Sequence, residues 1–249
     1  MNMESEIGHL LTLPIDEARR EGVGILKRFR NGLNRGEFRA ADKVNGRWQA
    51  NAWVKQGILL SFHLGQSKDR LLSDEFYFSD KDTLPLREKV NSTLRVVPGG
   101  SSIRDGVFIG RNVICMPPMF INIGAWVGDD TMIDSHALVG SCAQVGRRVH
   151  LSAAAQIGGV LEPPGTLPVI IEDDAFIGGN CGVYEGVIIS ERAVLASGVV
   201  LTGGVSVYDT TKGAVYQRTD SIPLIVPSGA VVVAGSREAS GEFAREHKL

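Results

Sequence analysis

Between residues 103 and 207 an aliphatic residue returns at every sixth position. The series runs Ile103, Ile109, Cys115, Ile121, Val127, Ile133, Val139, Val145, Leu151 and Ile157. It pauses, then resumes as Ile171, Ile177, Val183, Ile189, Leu195, Leu201 and Val207, and Cys115 is its one departure from Val, Ile or Leu. Two residues earlier runs a second series, among it Val107, Val113, Ala125, Thr131, Ala137 and Ala143, small or β-branched throughout except at Met119. Six is not a multiple of 3.6, so no α-helix keeps both series on one face. Short strands separated by a corner do, because residues two apart on a strand point the same way. The pattern predicts a parallel β-helix with the aliphatic residues stacked inside it. Glycine follows the aliphatic residue at Gly140 and Gly146, where a corner suits it, and the 30 glycines in 249 residues exceed the usual ~7%. After Ile133 that slot holds Asp134 instead.

Two interruptions break the period. From Ile157 to Ile171 the step is too long to keep register, so "GGVLEPPGTLPV" is expected to project as a stiff loop over 158–170. The second, "YDTTKGAVYQRTDSIPL", reads as a hairpin turning at Lys212 and Gly213, after which "IVPSGAVVVAG" restarts apolar pairing and closes the coil. Residues 1–95 lack the hexad. "IDEARREGVGILKRFRNGLNRG" reads as an amphipathic helix with Ile25, Leu26, Phe29 and Leu33 on one face, and "NGRWQANAWVKQGILLSFHLG" as a turn followed by a packed helix or strand. The expected organisation is a mainly helical N-terminal domain over 1–95 and a coil over 96–207. A hairpin, closing strand and polar tail complete it over 208–249.

Composition narrows the function. A formal charge of −2 with no Lys/Arg block argues against nucleic acid as a partner. No apolar run approaches the ~20 residues of a membrane span, and the first residues lack the form of a signal peptide. Cys115, Cys142 and Cys181 form neither a disulfide framework nor a metal knuckle, so a reduced, cytoplasmic setting is expected. His136 and His150 fall at different phases of the hexad, and no metal site is expected. Phosphate-binding, dinucleotide-binding and nucleophile-elbow motifs are missing, which leaves nucleotide hydrolysis, hydride transfer and serine hydrolysis without support.

Asp134 and Glu185, both at corners, are the acids with a claim to chemistry; each also has a plain reading as a turn residue or a solvated carboxylate. Arg95, Arg104 and Arg111 cluster at the start of the coil, where a guanidinium would suit a carboxylate-bearing substrate or an ion pair within the fold.

"RVVPGGSSIRDGVFIGRN", "TMIDS", "VGSCAQVG", "IGGVLEPP" and "VPSGAVVVAG", with "NGRWQANAWVKQGILLSF" before them, resemble the tetrahydrodipicolinate N-succinyltransferases, a family of hexapeptide-repeat acyltransferases. The resemblance runs from about Asn45 to about Gly235, and the tail beyond is shorter than is usual in the family. It implies a mainly β fold, a left-handed parallel β-helix, assembled as a homotrimer with active sites between subunits. It implies succinyl-CoA as co-substrate, no tightly bound cofactor, and the amine of ring-opened tetrahydrodipicolinate as acceptor on the diaminopimelate route to lysine. By the same resemblance Asp134 and Glu185 are the catalytic acids, and Arg95 binds substrate, with Asp134 sharing that contact. Gly198, Thr202, Gly203, Lys212 and Arg218 are the candidates for holding CoA. An acetyl-CoA-dependent relative, another hexapeptide-repeat N-acyltransferase with a different amine acceptor, and a non-catalytic trimeric scaffold are the competing expectations.

Overall fold

The structure, a computed structural model, describes residues 2–73, 76–87 and 93–249. Its centre is a triangular coil of two-residue strands whose three sides are parallel sheets. The first sheet stacks Phe108–Ile109, Trp126–Val127, Gln144–Val145, Ile170–Ile171, Ile188–Ile189 and Ile225–Val226. The second begins at Arg95–Val96 and continues through Ile114–Cys115, Met132–Ile133, His150–Leu151, Phe176–Ile177 and Val194–Leu195 to Val231–Val232. The third runs from Ser102–Ile103 through Phe120–Ile121, Leu138–Val139, Gln156–Ile157 and Gly182–Val183 to Val200–Leu201. The hexad residues line the interior and, from Ile109 to Leu201, are buried, as are the small residues two positions earlier. Val207 departs from this pattern: it opens the antiparallel hairpin Val207–Asp209 with Ala214–Tyr216 and packs, partly buried, against the core.

The left-handed residue of a corner falls three positions after the inward aliphatic, at Asn112, Asp130, His136, Cys142, Arg148, Ala154, Asp174, Asn180 and Arg192 and at several glycines. The glycine slot directly after the aliphatic residue answers a different demand. A Cβ on Gly128 would lie 2.6 Å from the Gly146 carbonyl carbon, and one on Gly140 would lie 2.2 Å from the Gly159 nitrogen. Close approach of successive coils, not backbone handedness, keeps these positions free of a side chain. At the corner of Asp134 the left-handed residue is accordingly His136, with φ 62°, and not the aspartate.

Before the coil come α1 (Met3–Thr12), α2 (Ile15–Arg35) and α3 (Ala52–Leu64). One hairpin, Ala41–Val44 with Arg47–Ala50, links α2 to α3, and a second, Ser67–Ser73 with Phe76–Lys81, follows α3. Asn45 and Gly46, both with positive φ, turn the first hairpin, as the "NG" pair favours. Helix α2 ends at Gly36, left-handed at φ 71° and pressed against Phe108 and Trp126, so a side chain there would meet both rings. The helices share a core of Leu10, Leu26, Phe29, Ile58 and Leu64 that also takes in Ile123 and Cys142 from the coil. Arg39 fastens this domain to the first sheet. Its Nε donates to Gln144 Oε1 at 2.7 Å, its guanidinium lies 4.1 Å from the Trp126 ring centroid, and burial pulls its pKa to about 10. Two segments expected as one kind of structure thus differ. The N-terminal region adds two hairpins to its helices, and "NGRWQANAWVKQGILLSFHLG" supplies both half a hairpin and a helix.

Candidate active site

The three edges of the coil have different characters. Leaving the first sheet, the corners carry two charge ladders that climb the axis. Arg111 pairs with Asp129 at 3.1 Å, Arg147 with Asp173 at 2.8 Å, and Arg148 with Asp174 at 2.6 Å. Asp129 and Asp173 also accept the main-chain N–H groups of Arg111 and Arg147, each at 2.8 Å. These hydrogen bonds and the arginines hold the Asp129 and Asp174 carboxyls below their ordinary pKa. This edge is structural.

Asp134 stands on the edge leaving the second sheet. It is half-buried, and its Oδ1 accepts the Ser135 N–H at 2.7 Å, as Asn122 Oδ1 accepts that of Ile123 at 2.9 Å one hexad pair earlier. Its Oδ2 has no hydrogen-bond partner among the described residues. Arg95 lies on the same side of the coil, in register with Ile114 and through it with Met132, about 10 Å or two strand spacings away. It is exposed and makes no ion pair among the described residues. Arg104 is instead bound to Asp80 and set over the Phe62 ring at 5.4 Å, and Arg111 belongs to the ladder. Gly198, with φ 80°, turns the same edge higher up, away from the other residues expected to hold CoA.

The remaining candidates, Lys212 apart, converge on the edge leaving the third sheet. Three successive corners there are the loop after Ile157, the corner after Val183 and the insertion after Leu201. Between them opens a cleft of about 720 Å³. The loop contributes Gly158, Gly159, Val160, Glu162, Pro163 and Thr166, the middle corner Tyr184 and Glu185, and the upper insertion Thr202 and Arg218. Glu185 has φ 56° although it precedes the left-handed position of its corner, now Gly186 at φ 73°. Two left-handed residues in a row, the first of them a glutamate, mark local strain of the kind found where a side chain must be aimed. Its Oε2 accepts the Gly203 N–H at 2.9 Å, and a Cβ on Gly203 would touch both that oxygen and Arg218 Nη1. Arg218 is therefore carried back over Gly203, to the corner that holds Glu185, without pairing with its carboxylate. Lys212 is not: it sits at the hairpin tip, 3.7 Å from Asp209.

The sequence reading passed over Tyr184. It occupies the slot after an inward aliphatic that glycine takes elsewhere, and its ring lies against Gly158 and Gly182, where Cβ atoms would meet it at 2.7 and 2.5 Å. Gly182 was the available signal, since Phe120, Leu138 and Gln156 hold the equivalent outward position on neighbouring coils. The cysteines offer no nucleophile. Burial pushes the Cys115 and Cys142 thiols to about 12, and that of Cys181 upward as well. Among the described residues no group of three or more His, Cys, Asp or Glu is placed to hold a metal, and no helix is long and apolar enough to cross a membrane. His150 stacks on Phe176, centroids 4.9 Å apart.

Asp134 and Glu185 thus occupy different edges of the triangle, with Arg95 two strand spacings from the strand of Asp134 and Arg218 near Gly203 on the Glu185 edge. The chain brings Glu185, Thr202, Gly203 and Arg218 together and sets Arg95 and Asp134 on another face.

Comparison with known proteins bears on what these two faces belong to. A family described as tetrahydrodipicolinate N-succinyltransferase N-terminal matches residues 11–64, and one described as hexapeptide repeat of succinyl-transferase matches 168–203. The 2,3,4,5-tetrahydropyridine-2,6-dicarboxylate N-succinyltransferase of Idiomarina loihiensis is 44% identical over 210 residues, covering 82% of this chain and 73% of that protein. That of Polynucleobacter asymbioticus is 44% identical over 211 residues, covering 82% and 74%. A Campylobacter jejuni structure described as a 2,3,4,5-tetrahydropyridine-2-carboxylate N-succinyltransferase covers 80% of this chain and 57% of that one, with a TM-score of 0.50 at 14% identity, a likeness of fold. With that identity over that much of its length, the chain belongs to the tetrahydrodipicolinate N-succinyltransferase family.

Proposed function

We propose that the cleft at Glu185 receives the acyl donor, succinyl-CoA, and that the face carrying Asp134 and Arg95 receives the amine acceptor. The enzyme is an acyl-CoA-dependent N-succinyltransferase acting on tetrahydrodipicolinate in its ring-opened amino form. The observation that carries this assignment is the separation of the two acids onto different edges of one coil, with Arg218 on the edge of Glu185 and Arg95 on the side of Asp134. A second copy set against the first would close an Asp134 face over a Glu185 cleft, which favours a homotrimer with three composite sites.

The chemistry follows from the groups. An α-ammonium is no nucleophile until it loses a proton, and the Asp134 oxygen left over from its turn is the base within the acceptor's half-site. Arg95 grips an acceptor carboxylate and orients the amine. The amine nitrogen forms its bond to the thioester carbonyl carbon, main-chain N–H groups at glycine corners stabilise the oxyanion, and the C–S bond breaks with the thiolate of CoA leaving. Glu185 passes a proton within this exchange, and Arg218, next to it, meets negative charge on the donor. Thr202 and Gly203 line the donor's path, while Lys212 and Gly198 lie off it.

The test is thiol release from succinyl-CoA and, in parallel, from acetyl-CoA, with and without tetrahydrodipicolinate. Acceptor-dependent release with succinyl-CoA is the expected result. Release with acetyl-CoA alone would move the donor assignment to the shorter acyl chain, and none from either would overturn the reading.

A further inference from the structure

The loop that walls the cleft is held from beneath by a side chain of the N-terminal domain. Lys55, in the first turn of α3, is fully buried, and its Nζ donates to the main-chain carbonyl of Thr166. It forms no ion pair among the described residues. A buried ammonium is costly unless it is hydrogen-bonded, so a core helix gains nothing from lysine here on packing grounds. Either side of Thr166 the loop has an apolar anchor: Leu161 packs on the core of the N-terminal helices, and Leu167 packs with Ala41, Ile170 and Ile188. From Leu167 the contact continues to the acid. A Cβ on Gly186 would lie 2.7 Å from the Leu167 carbonyl oxygen, so the loop backbone bears directly on the residue after Glu185.

We propose that Lys55 is a positioning residue for the transfer reaction: through Thr166 it fixes the loop over 158–170, and through the Leu167–Gly186 contact it sets the corner that aims Glu185 into the cleft. The inference rests on the reading of this cleft as the donor site. Lys55→Met keeps the stem and removes the ammonium. The KM for succinyl-CoA rises about tenfold in it while the KM for the acceptor stays put, a split that general loosening of the fold would not produce. Ile58→Val, a truncation in the same helix core, leaves both constants unchanged. A folded Lys55→Met with an unaltered donor KM overturns the proposal. Should that variant fail to fold, Leu161→Ala, which frees the loop from its half-buried anchor, serves instead, and an unaltered donor KM there is equally fatal. Arg218→Ala separates the two readings. If it leaves the donor KM unmoved, the cleft is not the donor site; if it raises KM and the Lys55 and Leu161 variants do not, only the tie is wrong.

Discussion

Asp134 shows how one residue can serve both the turn and the chemistry. One carboxylate oxygen closes the corner on the Ser135 N–H, which an asparagine could also do, as Asn122 does. The other has no such use. Asp134→Asn should therefore fold with an unchanged melting midpoint and lose turnover by about 100-fold or more in the thiol-release assay, the size of a missing general base. Near-normal turnover would leave Asp134 as a turn residue alone. Glu185 poses the opposite case, because its backbone is strained where its side chain is needed. Replacing it by alanine or by glycine removes the same carboxylate, but only glycine relieves the left-handed φ. Glu185→Gly should be more stable than Glu185→Ala by roughly 1 kcal/mol in denaturant titration, with both variants equally poor in turnover. Equal stabilities would mean that the backbone relaxes once the carboxylate is gone.

The elements differ in what a methyl group does to them. Gly128 on the coil and Gly24 on α2 are both glycines inside regular structure, yet a Cβ meets main-chain atoms at 2.6 Å in the first and only the far end of Arg28, at 3.8 Å, in the second. Gly128→Ala should lower stability by about 1–3 kcal/mol, the cost of overpacking, whereas Gly24→Ala should raise it by about 1 kcal/mol through helix propensity. Thermal melts of the pair give the comparison. The charge ladder makes a further element-scale prediction. Asp129 and Asp174 have folded pKa values below the ordinary 3.8, so their contribution is complete above that value and is lost as pH falls through the folded pKa. The melting midpoint should drop as pH is lowered below about 4, and Asp174→Asn should make that drop shallower. High salt should weaken the same exposed pairs at neutral pH.

At the scale of the whole molecule the question is which chains share a site. If Asp134 of one subunit works with Glu185 of another, a mixture of Asp134→Asn and Glu185→Gln chains, unfolded and reassembled together, contains sites with both native acids. Random assembly of equal amounts makes about one site in four intact, so about a quarter of native activity should return from two inactive parents. No recovery, with mixed trimers demonstrated by mass, would place both acids in one chain's site. Both insertions leave the coil at one edge, and the N-terminal domain packs on that edge and across the first sheet, whereas Asp134 stands on an edge that carries neither insertion.

The coil was legible because its physics is local: a period of six cannot be helical, and each aliphatic residue reports its own inward slot. Asp134 stood out for the same reason, since it breaks the glycine slot, whereas Glu185 and Arg95 showed only a corner and a place at the start of the coil, and their roles came from the family resemblance. What the period could not say was which corner of the triangle each residue occupies relative to the insertions. That depends on counting hexads across a loop of irregular length, so the gathering of Glu185, Arg218 and Tyr184 on one edge, with Lys212 and Gly198 elsewhere, emerged only in three dimensions. The reason for the glycine slot was hidden likewise, because it lies in the backbone of the next coil and not in the residue's own conformation. Lys55 was the least visible of all. In the chain it is one lysine within an apolar helix, and only packing two domains together gives its ammonium a carbonyl to hold.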